Sequence, residues 1–408
     1  MMNYTETVEW LFQQFPSYQN IGANAYKPDL FNVEKLCSLF DNPQTNQTFI
    51  HVAGTNGKGS TSSLIASCLT ESGKTVGLFT SPHLKSFTER IRINGEEIEE
   101  NFIVEFVHKV RKAELNYQPS FFELSFVLCL TYFRHKKTDI NIIETGLGGR
   151  LDATNIIQPI LSVITNIGLE HTQFLGNTLA LIATEKAGII KSNIPVVIGE
   201  FQKETYPIFE QIAQKKNAKI IVCNQLNTNF DTTLLLGDYL KKNARTAYTA
   251  LEVLGQNYSF GKNCYQHFQK GIENLKQNTG LIGRMQVVST KPYTVFDAAH
   301  NAEGIVSLLA NINKLSFKKI HIVYGTSADK DLQAIGKLFP KHAQYYFTTF
   351  KNTRSASLEM LKTLAEKNKL TAKFFLNAKA GLQNAQNSAN EEDIILVFGS
   401  FFLLHDLF

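Results

Sequence analysis

The feature that most constrains the fold of this chain is a short apolar segment that leads into a glycine-rich turn and then a helix. Residues 48–61 read TFIHVAGTNGKGST. Glycines in this turn let the backbone approach a phosphate closely, and the amides at a helix start attract anions. Lys58 adds a positive charge, while the hydroxyls of Ser60 and Thr61 suit a helix cap or a magnesium ligand. The stretch predicts a phosphate-binding loop whose nucleotide contacts are Gly54, Thr55, Asn56, Gly57, Lys58, Gly59 and Ser60.

The match to the common G-x-x-x-x-G-K-[ST] pattern is incomplete. Val52 stands where that pattern begins with glycine, and Gly59 separates Lys58 from Ser60. An ordinary glycine-rich turn between a strand and a helix is therefore the alternative interpretation. Polar segments that follow other strands favour the phosphate-binding loop.

Length, charge and cysteine content limit the kind of protein this is. A chain of 408 residues exceeds a single core of ordinary size, so two or three domains are expected. Its net charge is only +5 and its basic residues are dispersed, which argues against a nucleic-acid partner. The five cysteines are scattered without a C-x-x-C pair, which predicts reduced thiols in the cytoplasm. We expect neither a signal peptide nor a membrane partner.

Strand-like and helix-like patterns alternate along most of the chain. A turn-prone segment at 22–26 and a helix over 28–40 precede the loop. The richest apolar stretch, 121–133, is short and carries Glu123, so it does not predict a membrane span. This alternation predicts a doubly wound, mostly parallel α/β sheet in residues 1–285, followed by a smaller α/β domain in residues 286–408. The expected strands are 75–80, 140–143, 161–165, 194–198 and 219–222 in the first domain, and 293–298, 319–324, 344–349 and 394–398 in the second.

Polar side chains follow several of these strands, at the sheet edge where α/β proteins bind ligands. Ser81, Glu144 and His171 each come after a separate strand near the loop, so they are candidate magnesium ligands. For an isolated serine or histidine, a helix cap or a hydrogen-bonded turn residue is the alternative. Glu144 is more informative, because a carboxylate directly after an apolar strand is costly unless it is paired or binds a metal.

The combined motifs resemble the folylpolyglutamate synthase/dihydrofolate synthase family of the Mur ligase superfamily. They are HVAGTNGKGST from residue 51, TSPHLKSFTERI from 80, ETGLGGRLDATN from 144, ITNIGLEH from 164 and EKAGIIK from 185. The resemblance runs from about residue 22 to residue 400. It implies a Mur ligase-like ATP-binding domain followed by a Rossmann-like glutamate ligase domain.

The activity that this resemblance implies is ATP-dependent amide ligation. ATP would phosphorylate the carboxylate of dihydropteroate or a reduced folate, and the amine of L-glutamate would attack the acyl phosphate. Such chemistry depends on positioning and charge neutralisation and needs no protein nucleophile. The implied cofactors are ATP and two Mg²⁺ ions, with K⁺ as a further candidate, and the implied oligomeric state is a monomer.

The resemblance also assigns the residues at the phosphate end of the site. Lys58 would contact the ATP phosphates, and Ser81 and Glu144 would hold the first Mg²⁺. His171 would bind the second ion together with a carbamylated Lys186, since a carbamate offers the oxygen ligands that a hard cation prefers. An unmodified Lys186 in a helical ion pair is the alternative.

Further nucleotide and acceptor contacts follow from the same resemblance. Asn243 and Arg284 resemble nucleotide contacts, with Asp297 and His300 supplied by the second domain; for Arg284 the alternative is a surface charge near a linker. The implied pterin-binding residues are Ser120, Phe122, Glu123, Asp152 and Ala153. Without the family, Phe121 and Phe122 would both be assigned to the core.

Two departures from the family pattern affect the second domain. Its motif is usually Asp-Gly-Ala-His-Asn-Pro, whereas this chain has Ala298 in place of glycine and Ala302 in place of proline. An alanine where glycine is usual raises the question of positive φ at that turn. Ile282 also stands where relatives often carry an aromatic residue or proline.

Two other functions remain as alternatives. One is a Mur-type ligase that joins an amino acid to a cell-wall precursor, although no UDP-sugar site is evident. The other is a nucleotide-binding relative without catalysis, which predicts a damaged loop or metal set. Lys58, Ser81, Glu144 and His171 are all present, which argues against this second alternative.

Overall fold

The computed structural model describes residues 2–15, 29–223, 230–258 and 263–408. The turn-prone segment expected at residues 22–26 lies outside the described residues. The chain divides into two compact units: unit 1 comprises Met1–Leu235 and Tyr239–Leu281, and unit 2 comprises Leu236–Asp238 and Ile282–Phe408. In the described part of the chain, no helix is both long and apolar enough to cross a membrane.

Unit 1 is built on a sheet that has eight strands among its described residues, in the order β4-β3-β2-β5-β1-β6-β7-β8. The six strands from β2 to β8 in that order are parallel, and β3 and β4 extend one edge as antiparallel strands. The strands are β1 Phe49–Ala53, β2 Val76–Phe79, β3 Ile91–Ile93, β4 Glu96–Glu97, β5 Ile140–Glu144, β6 Leu161–Ile164, β7 Val196–Ile198 and β8 Ile220–Val222.

Helices connect these strands and pack against the sheet. They are α1 Tyr4–Gln14, α2 Phe31–Leu39, α3 Lys58–Glu71, α4 Glu100–Lys112, α5 Phe121–Lys136, α6 Thr172–Leu175, α7 Leu179–Ala187, α8 Tyr206–Lys215, α9 Asp238–Asn257, α10 Phe268–Glu273 and α11 Leu275–Thr279. The apolar stretch at 121–133 forms the buried helix α5, whose N-terminus carries a capping box between Ser120 and Glu123. One apolar cluster unites α5 with Phe49, Phe79 and Ile143 of the sheet.

Unit 2 contains a second sheet, and residues 282–408 are all described. Its six strands are ordered β13-β12-β11-β14-β10-β9, with only the β9–β10 pair antiparallel. The strands are β9 Gln286–Thr290, β10 Tyr293–Phe296, β11 Ile320–Tyr324, β12 Gln344–Thr348, β13 Thr371–Phe375 and β14 Ile394–Phe398. The helices are α12 Ala302–Ile312, α13 Leu332–Leu338, α14 Leu358–Lys367, α15 Ala378–Ser388 and α16 Phe401–His405.

The structure confirms the predicted fold class, a mostly parallel α/β sheet followed by a smaller α/β domain. The strands β3, β4, β9 and β13 were not expected. They lie at or next to the sheet edges, and their sequences mix polar with apolar residues, so their apolar patterns are weak. The predicted boundary after Met285 falls a few residues inside unit 2. Met285 N–H donates to Asp297 at 2.8 Å, and Gly283 accepts from Ala298 at 2.9 Å, so this link is hydrogen-bonded to β10's end.

Candidate active site

Four polar segments of unit 1 follow four neighbouring strands. The order β2-β5-β1-β6 places the segments after Phe79, Glu144, Ala53 and Ile164 side by side at the carboxyl edge of the sheet. Apolar residues form these strands, while polar residues begin where each strand ends. The sheet order therefore gathers motifs that lie up to about a hundred residues apart in sequence, as expected for an α/β ligand site.

The glycine-rich turn has the tight backbone that its sequence predicts. Gly54 and Gly57 adopt φ values of 149° and 81°, and α3 begins immediately afterwards at Lys58. A Cβ at Gly54 would lie 1.8 Å from Thr165 Oγ1, and a Cβ at Gly57 would lie 2.3 Å from Asn243 Oδ1. Both positions therefore require glycine, and the first amides of α3 lack partners from within the helix.

The segment after β6 holds the phosphate loop in place. Asn166 accepts both the Thr55 amide, through its carbonyl, and the Asn56 amide, through Oδ1, each at 2.9 Å. The Thr165 hydroxyl donates to the Asn56 carbonyl at 2.7 Å. These bonds connect two loops that sequence motifs identify only separately.

Glu144 joins three of the predicted motifs. Its carboxylate accepts the Ser81 backbone amide at 3.1 Å, and a Cβ at Gly59 would lie 3.4 Å from its Oε2. Only 4% of Glu144 is exposed. A buried carboxylate beside the phosphate loop and a serine suits a hard divalent cation.

The described residues contain no all-protein metal cage. Among the described residues, no three His, Cys, Asp or Glu side chains gather in a way that could hold a metal ion. This fits Mg²⁺, which typically takes one or two carboxylates and completes its coordination with water and substrate phosphates. His171 lies on the segment after β6, at the N-cap of α6 with φ of 52°. The carboxylate of Glu144, beside Ser81, suits a partial coordination shell of this kind.

The side-chain amide of Gln202 makes two hydrogen bonds to the segment that carries His171. Gln202 accepts the Ile167 amide at 3.0 Å and donates to the Ile167 carbonyl at 2.8 Å. Gln202 was not expected from the sequence, because its partner is 35 residues away and no local motif marks it.

Two lysines converge on one backbone carbonyl of the phosphate loop. Lys58 Nζ donates to the Gly54 carbonyl at 3.0 Å, and Lys186 Nζ donates to the same oxygen at 2.8 Å. Burial, and then the nearby charge of Lys58, lowers the pKa of Lys186 to about 7. The neighbouring Glu185 pairs with Arg150 at 2.8 Å rather than with Lys186.

The predicted acceptor residues lie where α5 begins and in the loop after β5. Ser120 and Glu123 bond to each other's backbone as the α5 cap, so both also have a structural role. Phe122 is half-buried, and its ring is so close to Gly146 that a Cβ there would lie 2.6 Å from it. Phe121 is buried and stacks on Phe12, which makes it a core residue.

Asp152 organises the loop after β5. Its Oδ2 accepts the Leu147 amide at 2.7 Å, and its Oδ1 accepts the Thr154 amide at 3.0 Å and the Thr154 hydroxyl. Burial raises its pKa, which these hydrogen bonds oppose. Ala153 is buried directly after it in a short 3₁₀ turn.

One predicted nucleotide contact in unit 1 carries an unsatisfied polar atom. Asn243 on α9 is buried against Gly57, and its Nδ2 has no hydrogen-bond partner within the described residues. A buried amide donor is costly to leave unpaired. Its position beside the phosphate loop fits a ligand that supplies the missing acceptor.

In unit 2, the predicted nucleotide contacts Asp297 and His300 follow β10, and Arg284 lies just before β9. Asp297 accepts the Met285 and Ala299 amides, each at 2.8 Å, and His300 Nδ1 lies 2.9 Å from the Ala298 carbonyl. The Arg284 guanidinium lies 5.0 Å above the Phe401 ring, whose centroid is 5.8 Å from the His300 ring. Phe401 was not expected, since it lies within an ordinary aromatic pair in the sequence.

The two family departures in this domain are accommodated. Ala298 is absent from the positive-φ residues, and its amide donates to the Gly283 carbonyl, so the turn does not need glycine. Ala302 is the first residue of α12, where proline and alanine are both compatible with a helix.

Comparison with known protein families gives two matches that together cover most of the chain. Residues 52–288 match the Mur ligase middle domain, and residues 283–401 match the Mur ligase, glutamate ligase domain.

Individual proteins resemble the chain over nearly its whole length. The dihydrofolate synthase/folylpolyglutamate synthase of Buchnera aphidicola subsp. Schizaphis graminum is 32% identical, over 98% of this chain and 96% of that protein. The structure of E. coli FolC with DHPP and ADP has a TM-score of 0.85 and 29% identity, over 100% of this chain and 98% of that one. A bifunctional folylpolyglutamate synthase/dihydrofolate synthase with Mn, AMPPNP and L-glutamate has a TM-score of 0.84 and 26% identity, over 100% and 97%.

Proposed function

The chain belongs to the folylpolyglutamate synthase/dihydrofolate synthase family of the Mur ligase superfamily, and from that membership we propose that it joins L-glutamate to both dihydropteroate and reduced folates. It is an ATP-dependent ligase of the folate-glutamate type. The observation that carries the proposal is the burial of Glu144 between the Ser81 amide and the phosphate loop at Gly59.

The reaction proceeds in two balanced steps. A carboxylate oxygen of the acceptor attacks the γ-phosphorus of ATP, the bond to the β-phosphate oxygen breaks, and ADP leaves. The glutamate amine then attacks the acyl carbon, inorganic phosphate leaves, and the amine proton passes to solvent. The first step transfers negative charge to the departing ADP, and the second places it on the acyl oxygen and then on the departing phosphate. Fixed positive groups and aligned amides therefore supply most of the catalysis.

Lys58 and the first amides of α3 bind the phosphates in this proposal. Lys58 Nζ donates to the Gly54 and Thr55 carbonyls of the phosphate loop. Asn243, Arg284, Asp297 and His300 are the further proposed nucleotide contacts. The buried Asn243 Nδ2 without a hydrogen-bond partner in the described residues supports Asn243 as a nucleotide contact. The position of the Arg284 guanidinium over the Phe401 ring supports Arg284.

Ser81 and Glu144 are the proposed ligands of one Mg²⁺ ion, and His171 of a second. When bound, magnesium neutralises phosphate charge and aligns the transferring group. The buried Glu144 and the ordered segments around Ser81 and His171 require no rearrangement of the sheet to offer these ligands.

A carbamylated Lys186 is the proposed additional ligand. The neutral amine attacks carbon dioxide, a C–N bond forms, and one proton is released to give an anionic carbamate. The lowered pKa of Lys186 leaves a substantial neutral fraction near pH 7, which this reaction requires. Intact-mass analysis under carbon dioxide tests this proposal. A mass without the added carbon dioxide would show that Lys186 is unmodified.

The acceptor's flat ring is proposed to stack on Phe122, near Ser120, Glu123, Asp152 and Ala153. Phe122 is half-buried beside Gly146, where a flat heterocycle can lie against a ring held by the loop. Bound DHPP in the E. coli relative supports a pterin acceptor for this chain.

Phosphate release from ATP tests the proposal directly. The purified full chain is assayed with Mg²⁺ and L-glutamate, separately with dihydropteroate and with tetrahydrofolate. Glutamate-dependent release with both acceptors is expected. Release with one acceptor alone would restrict the enzyme to dihydrofolate synthesis or to tail extension, and silence with both would favour the Mur-type or non-catalytic alternative.

Two further parts of the proposal have separate tests. A K⁺ requirement predicts lower activity when K⁺ is replaced by Na⁺ at constant ionic strength. A monomer predicts a mass near 45.9 kDa by light scattering.

A further inference from the structure

A histidine inside β1 has no place in the chemistry described above. His51 lies at the middle of β1, two residues before the strand ends, and it is fully buried. Its Nε2 is 2.8 Å from Thr154 Oγ1, in the loop that follows β5. A polar side chain is thus placed in the interior of a central strand, and its partner is 103 residues away.

The direction of the hydrogen bonds follows from the chemistry of the groups. The Thr154 hydroxyl lies within hydrogen-bonding distance of Asp152 Oδ1, and a carboxylate can only accept. The Thr154 oxygen then accepts from His51, so the histidine carries its proton on Nε2. His51 Nδ1 is buried without a hydrogen-bond partner in the described part of the chain. Burial, and then the charge of Lys191, lowers the His51 pKa to about 3, so the ring is neutral.

The hydrogen bonds from His51 through Thr154 to Asp152 connect the phosphate loop with the proposed acceptor loop. β1 continues directly into the phosphate loop at Gly54, and Asp152 holds the acceptor loop through the Leu147 and Thr154 amides. His51 therefore has a fixed position relative to the phosphate loop and determines where the Thr154 hydroxyl points. Movement of that hydroxyl would change the position of the Asp152 carboxylate.

We propose that His51 is a positioning residue for the acceptor, which acts through the Thr154 hydroxyl to orient Asp152 and its loop. The inference rests on the proposed function, because it assumes that the Asp152 loop binds the acceptor. It assigns His51 no contact with substrate and no proton transfer.

Two substitutions of similar size separate this role from simple packing. His51→Met removes the donor, whereas His51→Gln keeps an N–H near the position of Nε2. We expect His51→Met to raise the KM for the acceptor about tenfold, as expected for loss of one oriented hydrogen bond, with the KM for ATP within about twofold. His51→Gln should recover most of that loss.

Ser162→Ala is the matched control for loss of a buried polar group. Ser162 is the β6 register partner of His51, is fully buried and donates to the Ile189 carbonyl at 2.8 Å. Its replacement should lower the melting temperature without changing the acceptor KM. An equal rise in acceptor KM for the Met, Gln and Ser162 variants would show that packing alone is responsible and would overturn the proposal.

A double-mutant cycle with Thr154→Val completes the test. Because KM does not depend on the concentration of active enzyme, a lower folded fraction of His51→Met does not affect the comparison. If His51 acts through Thr154, then His51→Gln and His51→Met should have the same acceptor KM in the Thr154→Val background. Additive effects of the His51 and Thr154 substitutions on the acceptor KM would contradict the proposal that His51 acts through Thr154. An inactive wild-type enzyme would instead refute the proposed function, so the two failures are distinguishable.

Discussion

Two buried carboxylates end parallel strands in the two units, and they are used differently. Glu144 and Asp297 are 4% and 2% exposed. Asp297 receives one backbone amide on each oxygen, from Met285 and Ala299, and so fixes its own turn. Glu144 receives the Ser81 amide and lies against Gly59 of the phosphate loop. Burial alone therefore does not distinguish the proposed metal ligand Glu144 from the proposed nucleotide contact Asp297, which also fixes its own turn; the neighbouring groups do.

The comparison predicts that substitutions around Glu144 affect turnover, whereas substitution of Asp297 also affects stability. The largest effect is expected for Lys58→Ala. Removal of the positive charge beside the phosphate loop should lower kcat about 10³-fold or more. The melting temperature should stay close to that of the wild type, because Lys58 is the half-buried first residue of α3 and its Nζ donates only to the Gly54 and Thr55 carbonyls. Steady-state phosphate release measures this change, with exposed Lys112→Ala as the control. An active Lys58→Ala enzyme would refute the phosphate-loop assignment.

Glu144→Gln tests the first carboxylate itself. The amide oxygen can still accept the Ser81 amide, but the charge that would bind Mg²⁺ is lost. We expect kcat to fall about 10²-fold to 10³-fold, with a higher Mg²⁺ requirement and a melting temperature close to that of the wild type. A large loss of melting temperature with normal turnover would place Glu144 in the same structural class as Asp297.

Lys186→Ala should reduce turnover about 10²-fold, because it removes the proposed carbamate ligand. Short carboxylates such as formate or acetate should restore part of the activity by occupying the space left by the side chain. The dependence of the rate on added carboxylate measures this effect. Normal turnover in Lys186→Ala would eliminate the carbamate from the mechanism.

Asp297→Asn provides the other side of the comparison. Asparagine has one acceptor oxygen, so its NH₂ group would face either the Met285 or the Ala299 amide, both of which are donors. We expect a stability loss of about 1–3 kcal/mol, seen by calorimetry of the full chain as a lower melting temperature. If Glu144→Gln destabilises the protein equally, the distinction between the two carboxylates fails.

The sequence predicted the fold and the convergence of the main motifs because apolar strands and the polar residues after them are local patterns. Glu144 accepts the Ser81 amide and lies beside Gly59, as the strand order predicts. The supporting residues were not predicted, because their partners are distant in sequence. Of these, only His51 carried a usable signal, since histidine is unusual inside a buried apolar strand. Gln202 and Phe401 lie in stretches whose composition is ordinary.

The last prediction concerns the pH dependence of stability that Lys186 imposes. Burial lowers its pKa to about 7 in the folded chain, below the 10.5 of an unperturbed lysine, so the unfolded chain binds more protons between these pH values. As pH falls from about 10.5 to about 7, the free energy of unfolding therefore decreases. Below about 7, the loss that Lys186 causes is constant. Lys186→Met lacks this titration, so wild-type stability minus variant stability should rise with pH across that window. Urea denaturation in carbon dioxide-depleted buffer measures this difference, and a pH-independent difference would show that Lys186 titrates normally. Lys186 would then resemble Asp297, whose charged side chain bonds to backbone groups of the fold, rather than Glu144, which is the proposed metal ligand.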